Sequence, residues 1–349
     1  MKIINEDTLR EQVIQVGRKV NRFVPVMKSL HYAMIPVLKG LGFYNEHRRI
    51  GELKVGLWRK HFNEKKKSKN IKRFVLMPGF GDTPMSWIGV VILLLPYLKK
   101  NYDEVVLVDF PGYLGFLYKE KAFHSMDLLH ESLHDVLDSL TPHTVLGHSL
   151  GGWIAASYAA SCGEEKRPKN ISRKNYSGPK FLFLANPSGV LVDDQKKAYW
   201  SKTFDDARKK GFDVYQTKVF AKIPLWFYFI SPAFEHFMSQ KEILEFMHSF
   251  DERHLVNDRV SNIKSKVWLL WGENDTIVPE GWAKDWLEAI NKGRSRNRAR
   301  ALVIKKAGHS IQLERTAMTS LAISTVLSQP SYRLKGNSLM SRVWKVVES

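Results

Sequence analysis

One feature constrains this chain more than any other: an alternation of short apolar runs with segments of helical period. The runs Val105–Val108, Thr144–Leu146, Phe181–Leu184, Val267–Leu270 and Ala301–Ile304 carry almost no polar residue. Between them, apolar residues recur at three- and four-residue steps, as in Met126, Leu129, Leu133, Val136, Leu137 and Leu140. Strands apolar on both faces need cover on both faces, and helices between them supply it. The alternation therefore predicts an α/β protein with a mostly parallel central sheet and helices on either side. Two further strands, Glu52–Phe62 and Arg73–Met77, lead into it. Helices are expected over Ser86–Lys100, Ser125–Leu140, Leu150–Ser161, Trp282–Ile290 and Ile311–Leu327, with Gly163 stopping the third through left-handed geometry.

The pattern lapses between the strands at Phe181 and Val267. Residues 195–250 hold 14 of the 41 Phe, Trp and Tyr residues, with helical spacing and no strand signal. Residues 191–261 thus read as an aromatic-rich helical cap inserted into a core of residues 51–190 and 262–330. Residues 1–50 read as a basic, amphipathic helical extension and residues 331–349 as a basic, loosely ordered tail. The formal charge of +19 is concentrated at the ends: residues 1–70 carry 16 Lys/Arg against 6 Asp/Glu, and residues 291–349 carry 12 against 2. A near-neutral middle argues against nucleic acid as the substrate, while the basic N-terminal helices suit peripheral contact with an anionic membrane. The start lacks the uninterrupted apolar core of a secretory signal, and no run approaches the roughly 20 residues of a spanning helix. Cys162, the one cysteine, can form no internal disulfide, which favours a reducing, cytoplasmic setting and a buried apolar role.

The chemistry concentrates where strands end. Gly147-His148-Ser149-Leu150-Gly151-Gly152 lies between an apolar strand and a helix, the setting in which G-x-S-x-G raises a serine hydroxyl on a sharp turn. A serine hydroxyl needs a base, and the base an orienting acid. Gly272-Glu273-Asn274-Asp275 follows the strand ending at Leu270, and Gly308-His309 follows the strand ending at Ile304. Both place a functional group at the carboxyl edge of the sheet, so Ser149, Asp275 and His309 are the catalytic candidates. The N–H groups of Leu150 and of Phe80, in Pro78-Gly79-Phe80-Gly81, are the candidate oxyanion donors.

These loops, with Asp109-Phe110-Pro111-Gly112, together resemble the α/β-hydrolase superfamily, in particular its lipase and esterase branch with a helical cap, of the kind that includes monoacylglycerol lipases. The resemblance spans about residues 52–329. It implies the α/β-hydrolase fold, a Ser149–His309–Asp275 triad, no metal and no organic cofactor. Two positions depart from the usual pattern: Pro78 stands where the family has histidine, and Gly112-Tyr113-Leu114-Gly115-Phe116 replaces a smaller Gly-x-Ser segment. Serine at 149 argues against the haloalkane dehalogenases and epoxide hydrolases, whose chemistry needs a carboxylate nucleophile.

The expected activity is cleavage of a small lipophilic carboxylic ester, with Tyr113, Phe116, Trp226 and Phe227 as candidate acyl-chain contacts. The same triad also serves acyl transfer, thioester cleavage or carbon–carbon hydrolysis, and a catalytically silent fold could bind a hydrophobic ligand or partner through its cap. Oligomeric state and cap movement are left open by the sequence.

Overall fold

A computed structural model describes residues 35–51, 53–63, 71–110, 124–164, 176–210, 217–224, 241–295, 298–328 and 344–348. Its centre is a nine-stranded sheet in the order β1-β2-β4-β3-β5-β6-β7-β8-β9. The strands are β1 (Tyr44–Ile50), β2 (Leu53–His61), β3 (Arg73–Met77), β4 (Glu104–Asp109), β5 (Thr144–His148), β6 (Phe181–Ala185), β7 (Lys266–Gly272), β8 (Arg300–Ile304) and β9 (Trp344–Val347). The six from β4 to β8 pair in parallel, whereas β1, β2 and β9 are antiparallel to their neighbours.

Each interior strand feeds two cores because its side chains alternate across the sheet. On β3, Val75 and Met77 enter one core while Phe74 and Leu76 enter the other. The first is completed by α2 (Met126–Leu140), α3 (Leu150–Gly163) and α6 (Trp282–Asn291); in chain order α1 (Ile88–Asn101) precedes α2, and α4 (Asp194–Lys210) and α5 (Lys241–His248) lie between α3 and α6. The second is completed by α1 and by α8 (Thr316–Ser328), which is preceded by a single turn, α7 (Ile311–Glu314). The face predicted for α2 is buried as expected, and the Ser125 side chain caps its start by accepting from Leu128 N at 3.2 Å, a contact worth about 1 kcal/mol.

Four expectations are corrected. The helical reading of residues 1–50 gives way at Tyr44, where β1 forms a hairpin with β2, so the sheet begins inside the segment assigned to the extension. Trp344–Val347 is not loose tail but an edge strand on β8, with Trp344 buried. Gly163 does not have left-handed geometry. It is required because a Cβ there would lie 1.9 Å from the carbonyl oxygen of Asn262. The single helix expected over Ile311–Leu327 is also two, divided at Arg315. Among the described residues no helix is long and apolar enough to cross a membrane.

Candidate active site

The parallel sheet gathers the carboxyl ends of β3, β5, β6, β7 and β8 along one edge, and the candidate residues occupy the loops there. Ser149 links β5 to α3 with φ 49° and ψ −114°, backbone angles that L-residues seldom adopt. Crowding explains its small neighbours: a Cβ at Gly147 would lie 2.4 Å from Gly151 O, and one at Gly151 would lie 2.3 Å from Pro78 O. The strained residue is held by Ser149 N donating to Ala185 O at 2.9 Å and by Trp153 N donating to Ser149 O at 2.9 Å. The Pro78–Gly81 loop lies against this elbow, since a Cβ on Gly79 would come within 3.2 Å of Ser149 Cβ.

The structure brings Asp275 and His309 together. His309 Nδ1 donates to Asp275 Oδ2 at 2.7 Å, with both side chains buried. The other carboxylate oxygen accepts from Ile277 N at 2.8 Å and Val278 N at 3.0 Å, so the acid is oriented by its own loop. With Nδ1–H committed to the acid, His309 Nε2 is left as a proton acceptor.

Several neighbouring residues escaped the sequence reading. Asn186, left-handed at φ 43°, donates through Nδ2 to the carbonyl oxygens of Gly308 and His309 and accepts Gly272 N–H at 2.8 Å. It thereby ties the base loop to the end of β7. His148 Nε2 donates to His309 O at 2.9 Å, and Gln312 Nε2 donates to His148 Nδ1 at 3.2 Å and to Asp82 Oδ2 at 3.4 Å. Burial holds the His148 imidazole well below the usual histidine range and pushes the Asp82 carboxyl up to about 6. Asp109, closing β4 on the same edge, is pushed up to about 7 by burial. Glu314 accepts Gly308 N at 2.9 Å and Ala221 N at 3.0 Å, and so ties the segment after α4 to the base loop. An Asn after an apolar strand, or a Gln and a Glu three and five residues beyond a histidine, carries no signal until the chain is folded.

Helices α4 and α5 lie in the segment between β6 and β7, and aromatics from this segment gather with Phe80 and Trp153. Phe80 stacks on Phe246 at 5.6 Å, Phe246 meets Phe250 at 5.0 Å, and Phe250 stacks on Trp153 at 5.6 Å; Trp200 of α4 closes the group. Phe80 is thus placed beside α5. Tyr113, Phe116, Trp226 and Phe227 lie outside the described residues. Among the described residues no group of three or more His, Cys, Asp or Glu is gathered as a metal site.

The family model of the alpha/beta hydrolase family matches residues 74–319, most of the sheet and all of these loops. The chain belongs to the alpha/beta hydrolase family. No curated protein sequence matches this hydrolase. Its fold is similar to that of a membrane phospholipase A described as a bacterial virulence factor, at 17% identity and TM-score 0.62, covering 90% of this chain and 95% of that one. It is similar also to a lipase of Acinetobacter baumannii AYE assigned without proof of activity, at 17% identity and TM-score 0.61, covering 85% and 96%. The enol-lactonase of Burkholderia xenovorans LB400 aligns at 16% identity and TM-score 0.58, covering 81% and 100%. At such identities the likeness is one of fold.

Proposed function

We propose that this alpha/beta hydrolase is a serine carboxylic-ester hydrolase acting on a lipophilic ester. The observation that carries the reading is the buried 2.7 Å bond from His309 Nδ1 to Asp275, which leaves Nε2 as a base on the edge where Ser149 sits on its strained turn. Ser149 Oγ attacks the ester carbonyl while His309 Nε2 takes its proton, and Asp275 balances the imidazolium that forms. The N–H groups of Leu150 and Phe80 stabilise the tetrahedral oxyanion. Collapse breaks the ester bond, and His309 returns the proton to the departing alkoxide. Water then attacks the acyl-enzyme, giving up a proton to His309, and Ser149 recovers it as the carboxylic acid leaves.

The lipophilic assignment is supported by the aromatic group from Phe80 to Trp200, because each buried CH₂ of an acyl chain stabilises binding by about 0.8 kcal/mol. Tyr113, Phe116, Trp226 and Phe227 enter this reading as further acyl contacts on sequence grounds. Two proteins of similar fold, one described as a membrane phospholipase A and one as a lipase, point the same way. The basic N-terminal segment is assigned to contact with an anionic bilayer, where such esters reside, with the body on the cytoplasmic side. Hydrolysis of p-nitrophenyl esters from acetyl to palmitoyl, with Ser149→Ala beside wild type, tests the reading. Turnover that depends on Ser149 and rises toward longer chains is expected. Equal turnover by Ser149→Ala would exclude the triad, and preference for acetyl would exclude the lipophilic substrate.

A further inference from the structure

His148 touches all three loops that a serine hydrolase must align, although it belongs to only one. It precedes Ser149 on the nucleophile loop. Its Nε2 donates to His309 O at 2.9 Å on the base loop. On the oxyanion loop, the Cβ that Gly79 lacks would lie 2.7 Å from His148 Nδ1. The ring is wedged between His309, with centroids 4.8 Å apart, and the edge of Trp87 at 6.4 Å.

The hydrogen bonds determine its tautomer. A carbonyl oxygen only accepts, so Nε2 carries the proton and Nδ1 accepts. Gln312 supplies the donor for Nδ1, and the second hydrogen of the same amide points to Asp82 Oδ2 at 3.4 Å. Turning the amide over would set Oε1 against two acceptors, which leaves one orientation. The cost is visible: Gln312 Oε1 is buried with no hydrogen-bond partner among the described residues. Asp82 is anchored in its turn, where Oδ1 accepts Thr83 N at 2.7 Å and Asp82 N donates to Gly79 O at 3.2 Å. His309 O receives a second donor from Asn186 Nδ2 and so has both lone pairs engaged.

We propose that Asp82, Gln312 and His148 form a positioning relay that locks the oxyanion loop to the backbone of His309 through a single neutral imidazole. The proposal rests on the serine-hydrolase reading above. None of the three touches the reacting atoms in it. They hold the carbonyl of His309 while its ring cycles between imidazole and imidazolium, and they hold Gly79 and Phe80 at the distance the oxyanion requires. Small displacements of such groups are costly, at up to about a hundredfold in rate.

The test uses the full-length chain and three variants: Gln312→Leu, which keeps volume and removes both donors; His148→Phe, which keeps a ring; and His148→Gln, which restores a donor and an acceptor. Two readouts are taken. One is kcat and KM on a p-nitrophenyl ester. The other, independent of any substrate, is the low-field proton resonance of the His309 Nδ1–H bonded to Asp275. Gln312→Leu and His148→Phe are expected to lower kcat about ten- to a hundredfold with KM near wild type, and to shift or broaden the resonance. His148→Gln should recover most of kcat. If His148→Phe does not fold, Gln312→Leu carries the comparison, since its side chain sits on a one-turn helix.

Wild-type kcat and an unchanged resonance in Gln312→Leu would overturn the relay. A loss confined to KM, or one that His148→Gln fails to repair, would overturn it as well. Absence of Ser149-dependent turnover in wild type would instead overturn the hydrolase reading, and the resonance would still decide whether the relay holds His309.

Discussion

Asp275 Oδ2 accepts the Nδ1 proton of His309 at 2.7 Å across 34 residues of chain, and both groups are buried at the carboxyl edge of adjacent parallel strands. The bond selects one tautomer and one ring orientation. Asp275→Asn keeps the size of the side chain but offers an amide that can turn its donors toward His309 and favour the opposite tautomer. The variant should fold normally and lose about 10⁴-fold in kcat, by comparison with the same change in other Ser-His-Asp enzymes. Thermal unfolding and single-turnover acylation check the two halves of the statement.

Gly151 should tolerate no side chain. A Cβ there meets Pro78 O at 2.3 Å and Met77 O at 2.9 Å, and both obstacles are backbone. Gly151→Ala is expected to destabilise the protein by about 1–3 kcal/mol, as overpacking does, and to displace the oxyanion loop with it. Urea unfolding gives the first effect. A fall in kcat larger than stability explains gives the second.

Phe246 of α5, fully buried, stacks on Phe80 and joins α5 to the Pro78–Gly81 loop. Truncation to alanine should cost about 3–5 kcal/mol of stability, the usual range for a buried phenylalanine. If the aromatic group also seats an acyl chain, Phe246→Leu should reduce kcat/KM for palmitoyl more than for acetyl esters. Parallel losses for both would assign Phe246 to packing alone.

Acid should weaken the fold through a histidine cluster between α2 and α3. Burial, reinforced by His130, holds His134 well below its usual range, and His130 itself is drawn down to about 4. Unfolded, these side chains take up protons near pH 6.5. The unfolded state then binds more protons, so their contribution is fully present above pH 6.5 and is lost as the pH falls toward 4. His134→Phe, packed between His130 and the Tyr158 ring, should shrink the difference in Tm between pH 7 and pH 5. An unchanged difference would show that His134 is already charged when folded.

A bilayer test must respect where the sheet begins. Since β1 starts at Tyr44 and Leu38 and Phe43 are buried, a deletion reaching residue 50 would remove part of the core. Replacing Lys2, Arg10, Arg18, Lys19, Arg22 and Lys28 with glutamine changes no residue of the nine strands. Co-sedimentation with anionic vesicles at low salt should fall in this variant and in wild type at high salt. Binding unaffected by both changes would remove the electrostatic contact.

Much of the site was legible because its signals are local. The apolar strand, the tight turn and the helix around Ser149 lie within about twenty residues, and each of Asp275 and His309 announces itself by following a strand. The central strands and helices were found for the same reason, since alternation and helical period are properties of short windows. The edges were not. β1 has the exposure pattern of a polar hairpin and β9 has four residues, so neither carries an apolar run, and each exists by pairing with a strand already in place.

By itself, then, the sequence determined a mostly parallel sheet, a helical stretch between β6 and β7, and a serine, an aspartate and a histidine placed in that order on one edge. Each depends on a residue's character and on its near neighbours. Tertiary structure alone decided what holds those three: Gln312 reaches His148 across 164 residues, Asn186 reaches the His309 carbonyl across 123, and Phe246 of α5 reaches Phe80. A hydrogen bond requires two groups within about 3 Å and in line. Only the folded chain brings such distant residues that close, and a polar residue does not reveal in advance which partner it will meet.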